Sequence, residues 1–225
     1  MERYIILKLI MSMRKRLRKL RQTEIGFGKM INENIIKQIK DYAELNNVPI
    51  MMDDSMSYIM KYIKDNHVKS ILEVGTAIGY SAIMMCSVDP NVFITTIERD
   101  EKRYLEALKN IKKTKLEDRI QLIYNDALEV KVEDNYDLII IDAAKAQNQK
   151  FFERFEKNLN PYGTIITDNM GFHGLVMQES DEIKSRNLRQ LVRKVKDYKE
   201  FLEKNIRYET TFLDIGDGLA ISRKL

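Results

Sequence analysis

Five short aliphatic runs limit this chain to a narrow set of folds: 70–74 (SILEV), 92–97 (VFITTI), 120–123 (IQLI), 137–141 (DLIII) and 163–167 (GTIIT). Where apolar residues follow one another without polar alternation, both faces of a strand are buried. Helical patterns separate several of the runs, at 79–88, 100–114 and 147–159. Strands spaced by helices of this length build crossover units and a mainly parallel sheet, an α/β fold. The last quarter predicts a long charged helix over 184–204, then two strand patterns, RYETTFLD and LAISRKL, joined by the turn-rich IGDG. Only a tight hairpin can join that pair, so one of its strands runs antiparallel.

Upstream, apolar residues at 31, 35, 36, 39, 42, 43 and 45 form the stripe of an amphipathic helix. Pro49 breaks it, and SMSYIMKYIKDN predicts a second helix with Ser55 as its N-cap. The expected organisation is one domain over 31–225, preceded by a basic extension over 1–30. Those first thirty residues hold nine Lys/Arg against two Glu, so the remaining chain sums to −3 although the total is +4. Their centre, RKRLRKLR at 14–21, reads either as a phosphate-contacting arm or as a solvated helix, with Met11 and Met13 as alternative starts. No run is long enough to span a bilayer. The single cysteine, Cys86, cannot form an intramolecular disulfide, suits a reducing cytoplasm, and is expected to be a buried structural thiol.

Two core runs end in chemistry. Leu138 to Ile141 lead into Asp142, with Lys145 three residues on, and Ile165 to Thr167 lead into Asp168 and Asn169. Ligands of parallel sheets bind beyond the carboxyl ends of the strands, near the point where strand order reverses. The first run opens a glycine turn, ILEVGTAIGYSA, whose Gly75 and Gly79 match neither a dinucleotide fingerprint nor a P-loop. Such a turn lets backbone approach a ligand, and Ser81 adds a hydroxyl donor for a carboxylate. Glu98, at the end of the second run, is placed to accept ribose hydroxyls. In the turn after the third run, Asp126 is a candidate acceptor for an adenine amino group, with Ala127 against the ring. Ribose, adenine and carboxylate without phosphates describe S-adenosylmethionine. The competing reading makes Glu98 and Asp126 ordinary helix caps.

The segments LEVGTAIGYSA, TIERD, NDALE, IDAAK and ITDN together resemble metal-dependent class I methyltransferases of the catechol O-methyltransferase type, over about residues 45–225. NNVPIM, DAAKAQNQKFF, TDNMGFHGLV and DGLAISRK are similar to the bacterial tRNA 5-hydroxyuridine methyltransferases. The resemblance implies a Rossmann-like, mostly parallel seven-stranded sheet with helices on both faces and an antiparallel C-terminal hairpin, usually in a homodimer. It implies S-adenosylmethionine and Mg²⁺, the metal held by Asp142, Asp168 and Asn169. Met51 and Asp142 then join Gly75, Ser81, Glu98, Asp126 and Ala127 at the cofactor. The family commonly has leucine where this chain has Gly171 and lysine where it has His173.

Methyl transfer to oxygen needs an activated hydroxyl. Mg²⁺ takes hard oxygen ligands and makes a bound hydroxyl a better acid, and Lys145 is the candidate base. For Asp142 and Asp168 the competing role is helix capping, and for Lys145 a surface amine. His67 is expected to be a structural loop residue, and His173 lies close enough to the metal pair to line a substrate mouth. Neither G-x-S-x-G nor H-E-x-x-H occurs, which removes the hydrolase and zinc-protease readings. The leading function is O-methylation of 5-hydroxyuridine in the tRNA anticodon loop. A small-molecule catechol or caffeoyl-type O-methyltransferase and a non-catalytic S-adenosylmethionine-binding RNA chaperone or regulator are the alternatives.

Overall fold

The structure, a computed structural model, describes residues 32–171 and 185–225. The basic extension, His173 and the first residue of the helix expected from 184 lie outside them. Strands β1 (Ser70–Val74), β2 (Phe93–Glu98), β3 (Ile120–Tyr124), β4 (Tyr136–Ile141), β5 (Leu159–Thr167), β6 (Tyr208–Leu213) and β7 (Leu219–Lys224) form one sheet. Its order is β3-β2-β1-β4-β5-β7-β6. Pairs from β3 to β5 are parallel, and β7 runs antiparallel between β5 and β6. The expected seven-stranded sheet and C-terminal hairpin are both present.

The unalternated runs are explained by helices on both faces. Ile71, Leu138, Ile140 and Ile166 pack into one core with residues of α1 (Glu33–Leu45), α2 (Asp53–Asp65), α3 (Tyr80–Cys86) and α4 (Glu101–Thr114). Their sequence neighbours Leu72, Ile139, Ile141 and Ile165 pack into a second core with α5 (Asn148–Phe155) and α6 (Arg186–Lys204). Phe152 centres this second core, with ring contacts to Tyr198, Phe201 and Tyr208 at 6.4, 5.5 and 5.0 Å. Cys86 is buried as expected, its thiol pushed up to about 11 by burial and so inert near neutrality. No helix among the described residues is long and apolar enough to cross a membrane.

Three local expectations are corrected. Helix α2 starts two residues before Ser55, with Met52 at the cap position, so Ser55 sits fully buried in the first turn. The helix expected over 147–159 ends at Phe155 and passes through a 3₁₀ turn, Glu156–Asn158. Strand β5 then begins at Leu159, ahead of the expected 163, and the β4–β5 register shifts between Tyr136 and Leu138. Pro161 and a left-handed Tyr162 (φ 62°) interrupt the strand pattern there, which is why its start read as a turn.

Truncating Phe152, fully buried at the hub of four aromatic rings, should cost about 3–5 kcal/mol. Urea unfolding of Phe152→Ala measures this, and a loss below about 1 kcal/mol would show that the cluster does not hold the α5–α6 face.

Candidate active site

Strand order reverses between β1 and β4, whose carboxyl ends lie side by side. The two chains touch there: Asp142 N–H donates to the Val74 carbonyl at 3.0 Å. Gly75 has φ 104°, and a Cβ on it would stand 2.0 Å from the Asp142 carbonyl oxygen. Glycine is required by this backbone contact as well as by its dihedral. Above the contact opens a cleft of about 400 Å³, within the range of small-ligand sites.

Met51, Gly75, Ser81, Glu98, Asp126, Ala127, Asp142, Lys145 and Asn169 all line that cleft. Asp168, 2 % exposed, lies behind Asn169. The ends of all five parallel strands and the segment before α2 therefore converge on the cleft. Arg99, Arg103 and Asp217 line it too. Arg99 and Asp217 fall inside the resembling segments TIERD and DGLAISRK, but none of the three was assigned a site role from the sequence.

The Glu98 carboxylate accepts N–H groups from Ala77 (2.8 Å), Arg99 (3.0 Å) and Asp100 (2.8 Å). It does not cap α4, whose N-cap is Asp100. These bonds fix it across the glycine turn while leaving acceptor capacity, since a carboxylate has about four acceptor positions. Asp126 does cap a turn, accepting from Leu128 N–H at 2.8 Å, and its other oxygen lies 3.4 Å from Arg99 Nη1. Asp126 thus caps a turn rather than a helix, and it stands on the cleft wall.

Ser81 donates its hydroxyl to Glu73 Oε1, and Thr96 donates to Glu73 Oε2. The Ser81 proton expected for a ligand carboxylate is held by Glu73. Glu73 lies fully buried in β1, and burial pushes its carboxyl up to about 7 despite both hydroxyl donors.

Asp142 opens partly onto the cleft with protein packed around it. Burial first, then the Asp168 carboxylate, then Glu73, hold its carboxyl well above the ordinary range, while Lys145 opposes them. Asp168 is raised as well, by burial first, with Asn169 N–H opposing and Asp217 adding. Asp168 Oδ1 accepts from Asn169 N–H at 2.7 Å and from Ser55 Oγ at 3.4 Å. Asp168 Oδ2 is buried with no hydrogen-bond partner among the described residues. Asp142 caps no helix, because the following 3₁₀ turn and α5 take Ala144 and Gln147 as caps. Lys145 is no ordinary surface amine: its Nζ donates to Asn169 Oδ1 at 2.9 Å and lies 3.6 Å from Asp217 Oδ2. Among the described residues no group of three or more His, Cys, Asp or Glu side chains is arranged to hold a metal ion.

Asp217 comes from the β6–β7 turn, which locks onto the loop after β5. Met170 N–H donates to Gly218 O and Gly171 N–H to Asp217 O, at 2.9 and 2.6 Å. A Cβ on Gly171 would sit 2.9 Å from the Asp217 carbonyl. The glycine found where the resembling family commonly has leucine is therefore tied to this close approach.

Fold and cleft together define a Rossmann-like domain of the methyltransferase type. A profile of the O-methyltransferase family matches residues 29–225, and the chain belongs to that family. A Staphylococcus aureus structure provisionally described as a caffeoyl-CoA O-methyltransferase is 41 % identical, covering 94 % of this chain and 99 % of its own, with a TM-score of 0.80. A caffeoyl-CoA O-methyltransferase from Populus kitakamiensis is 27 % identical over 194 residues, 83 % of this chain and 82 % of its own length. A Bacillus cereus O-methyltransferase solved with SAH shares the fold at 24 % identity, with a TM-score of 0.74 over 86 % of this chain and 92 % of that one.

Glu73 gives a pH test with a definite sign. Its folded pKa of about 7 exceeds its ordinary 4.5, so the folded state binds the extra proton and stability falls as pH rises from about 4.5 through 7. This shift alone corresponds to about 3 kcal/mol, and Asp142 and Asp168 act in the same direction. Urea unfolding should show a clear loss between pH 5 and 7.5, and Glu73→Gln should make it shallower while the Asp142 and Asp168 contributions remain. An unchanged pH slope in the variant would contradict the assignment.

Proposed function

We propose that this protein transfers the methyl group of S-adenosylmethionine to the 5-hydroxyl of 5-hydroxyuridine at the wobble position of tRNA, giving 5-methoxyuridine, with Mg²⁺ at Asp142, Asp168 and Asn169. The observation that carries the oxygen-methylation chemistry is the meeting of those three oxygen donors at the cleft with Lys145 among them. Both carboxyls are held above their ordinary range, and a buried Asp168 oxygen has no hydrogen-bond partner among the described residues. A hard divalent cation matches such a set, because it favours ionised carboxylates and accepts the amide oxygen of Asn169 as third ligand.

The chain's own groups then have separable roles. Glu98 accepts from the cofactor ribose, Asp126 from its adenine with Ala127 against the ring, and Met51 closes over the cofactor. S-adenosylmethionine supplies an electrophilic methyl, and the metal ion supplies Lewis acidity that eases loss of the substrate hydroxyl proton. Lys145, held by Asn169 and near Asp217, is placed to receive that proton once its ammonium has given up its own. Holding the substrate oxygen at the floor of the cleft sets the line of attack on the methyl carbon.

For the substrate, support comes from DAAKAQNQKFF and TDNMGFHGLV, from the cations Arg99, Arg103 and Lys145 along the cleft, and from the absence of tryptophan. A 5-hydroxyl beside a 4-carbonyl offers a metal two oxygens, as a catechol does. The plant relative named for caffeoyl-CoA favours a second reading, a small-molecule catechol or caffeoyl-type substrate. We take the tRNA enzyme to be homodimeric, as the resemblance implies, and cytoplasmic, as its single cysteine suits.

Asp168→Ala should lower turnover by at least about 100-fold, the upper scale for disturbing a metal shell, with SAH affinity retained. Full activity in excess chelator would remove the metal from the mechanism. Glu98→Ala should weaken SAH binding by about 1–3 kcal/mol in calorimetry, and an unchanged affinity would leave Glu98 a purely structural brace. Nucleoside mass spectrometry of tRNA from a deletion strain should show 5-hydroxyuridine in place of 5-methoxyuridine. Unaltered tRNA together with efficient methylation of free catechols would establish the second reading.

A further inference from the structure

Between residues 186 and 196, helix α6 carries Arg186, Arg189, Arg193, Lys194 and Lys196 and no acid. All five are exposed. Stability alone would favour the opposite choice: the amino end of a helix carries partial positive charge, and cations there are unfavourable. Helices α1, α2 and α4 follow the favourable pattern, with Glu33, Asp53 and Asp54, and Glu101 in their first turns, whereas the shorter α3 and α5 carry no acid there. The first turn of α6 has no acid at all. The acids of α6 itself, Asp197, Glu200 and Glu203, fall in its second half, and Glu179, Asp181 and Glu182 precede it in sequence.

Topology puts this basic half at the functional edge. Helix α6 leads from the carboxyl end of β5 to the amino end of β6, which is parallel to β5 through β7. It therefore descends against the strands, and its first turns lie at the end of the sheet where the cleft opens. A groove of about 350 Å³ joins the two regions: Lys194 and Asp197 of α6 line one side, Lys150 and Glu153 of α5 the other, and Lys145 also lines it. Asp197 lies 4.0 Å from Arg193 Nε, and Glu153 accepts from Gln149 at 2.9 Å. Arg154, nearby in sequence, is engaged elsewhere, its Nη2 donating to the Val130 carbonyl at 2.6 Å.

We propose that the amino-terminal half of α6, with Lys150 across the groove, is a docking surface for an RNA backbone that leads one nucleotide past Lys145 into the cleft. This rests on the tRNA reading above and assigns the contacts that would deliver that substrate. Cations spaced along a helix and continuing into a groove match phosphates spaced along a strand. Neutralised phosphates release counterions, so affinity through this surface falls steeply with salt.

The test uses the full chain and an anticodon stem-loop RNA carrying 5-hydroxyuridine, with the variant Arg186→Gln/Arg193→Gln/Lys194→Gln. None of the three side chains is buried, so the fold should persist, and an unchanged thermal midpoint and SAH affinity check this. The expected result is at least a tenfold weaker RNA affinity at moderate salt. The slope of log affinity against log salt should also be shallower by about 2, as expected for three lost phosphate contacts. Equal RNA affinity and slope in variant and wild type would overturn the docking surface while leaving the substrate reading in place. Failure of the wild-type protein to bind or methylate the stem-loop would overturn both. Loss of binding to an acidic polypeptide, with RNA binding unaltered, would reassign the surface to a protein partner and overturn the proposal.

Discussion

The site depends on one backbone contact, that of Gly75 with Asp142 where β1 and β4 part. Strand order reverses there, so the turns that follow the two strands diverge to opposite faces and leave a cleft between them. A Cβ on Gly75 would overlap the Asp142 carbonyl, and any residue larger than glycine would push the two strand ends apart. The glycine turn carrying Ala77 N–H to Glu98 and the aspartate facing Asp168 are thereby set in one frame. Cofactor wall and oxygen cluster share a single origin.

That frame concentrates acids where the protein alone is a poor solvent for them. Glu73, Asp142 and Asp168 are all held above their ordinary range, burial being the first cause each time. Lys145 opposes the rise at Asp142 and Asp168, and its Nζ already engages Asn169 Oδ1. Folding energy is given up in this region in exchange for carboxyls poised to meet a positive charge, the pattern expected of functional sites. The hydroxyls of Ser55, Ser81 and Thr96 soften the cost by donating to these buried acids.

Most of the framework was legible because it rests on local patterns. Unalternated aliphatic runs mark strands buried on two faces, and the acids that close two of them, Asp142 and Asp168, mark a ligand edge. The Asp142, Asp168, Asn169 and Lys145 cluster was readable for that reason. What escaped prediction depends on distant approach. Asp217 sits in IGDG and opens the resembling segment DGLAISRK, yet nothing local gives it a place at the site until β7 inserts beside β5 and brings that turn to Gly171. Ser55 resembles an N-cap in sequence, yet its neighbours Asp53 and Asp54 join the helix, and its hydroxyl turns inward to Asp168. The start of β5 was hidden by Pro161 and Tyr162, residues whose backbone preferences oppose the strand that tertiary pairing imposes.

The central claim is that the ends of β4 and β5 form one cation site for oxygen chemistry. Its most direct test is an anomalous difference map from crystals grown with SAH and Mn²⁺, an ion of similar ligand preference to Mg²⁺. The account predicts one strong peak bounded by Asp142, Asp168 Oδ2 and Asn169 Oδ1, with Lys145 Nζ displaced from the Asn169 amide. A map without that peak, with the Lys145–Asn169 hydrogen bond still in place, would contradict it.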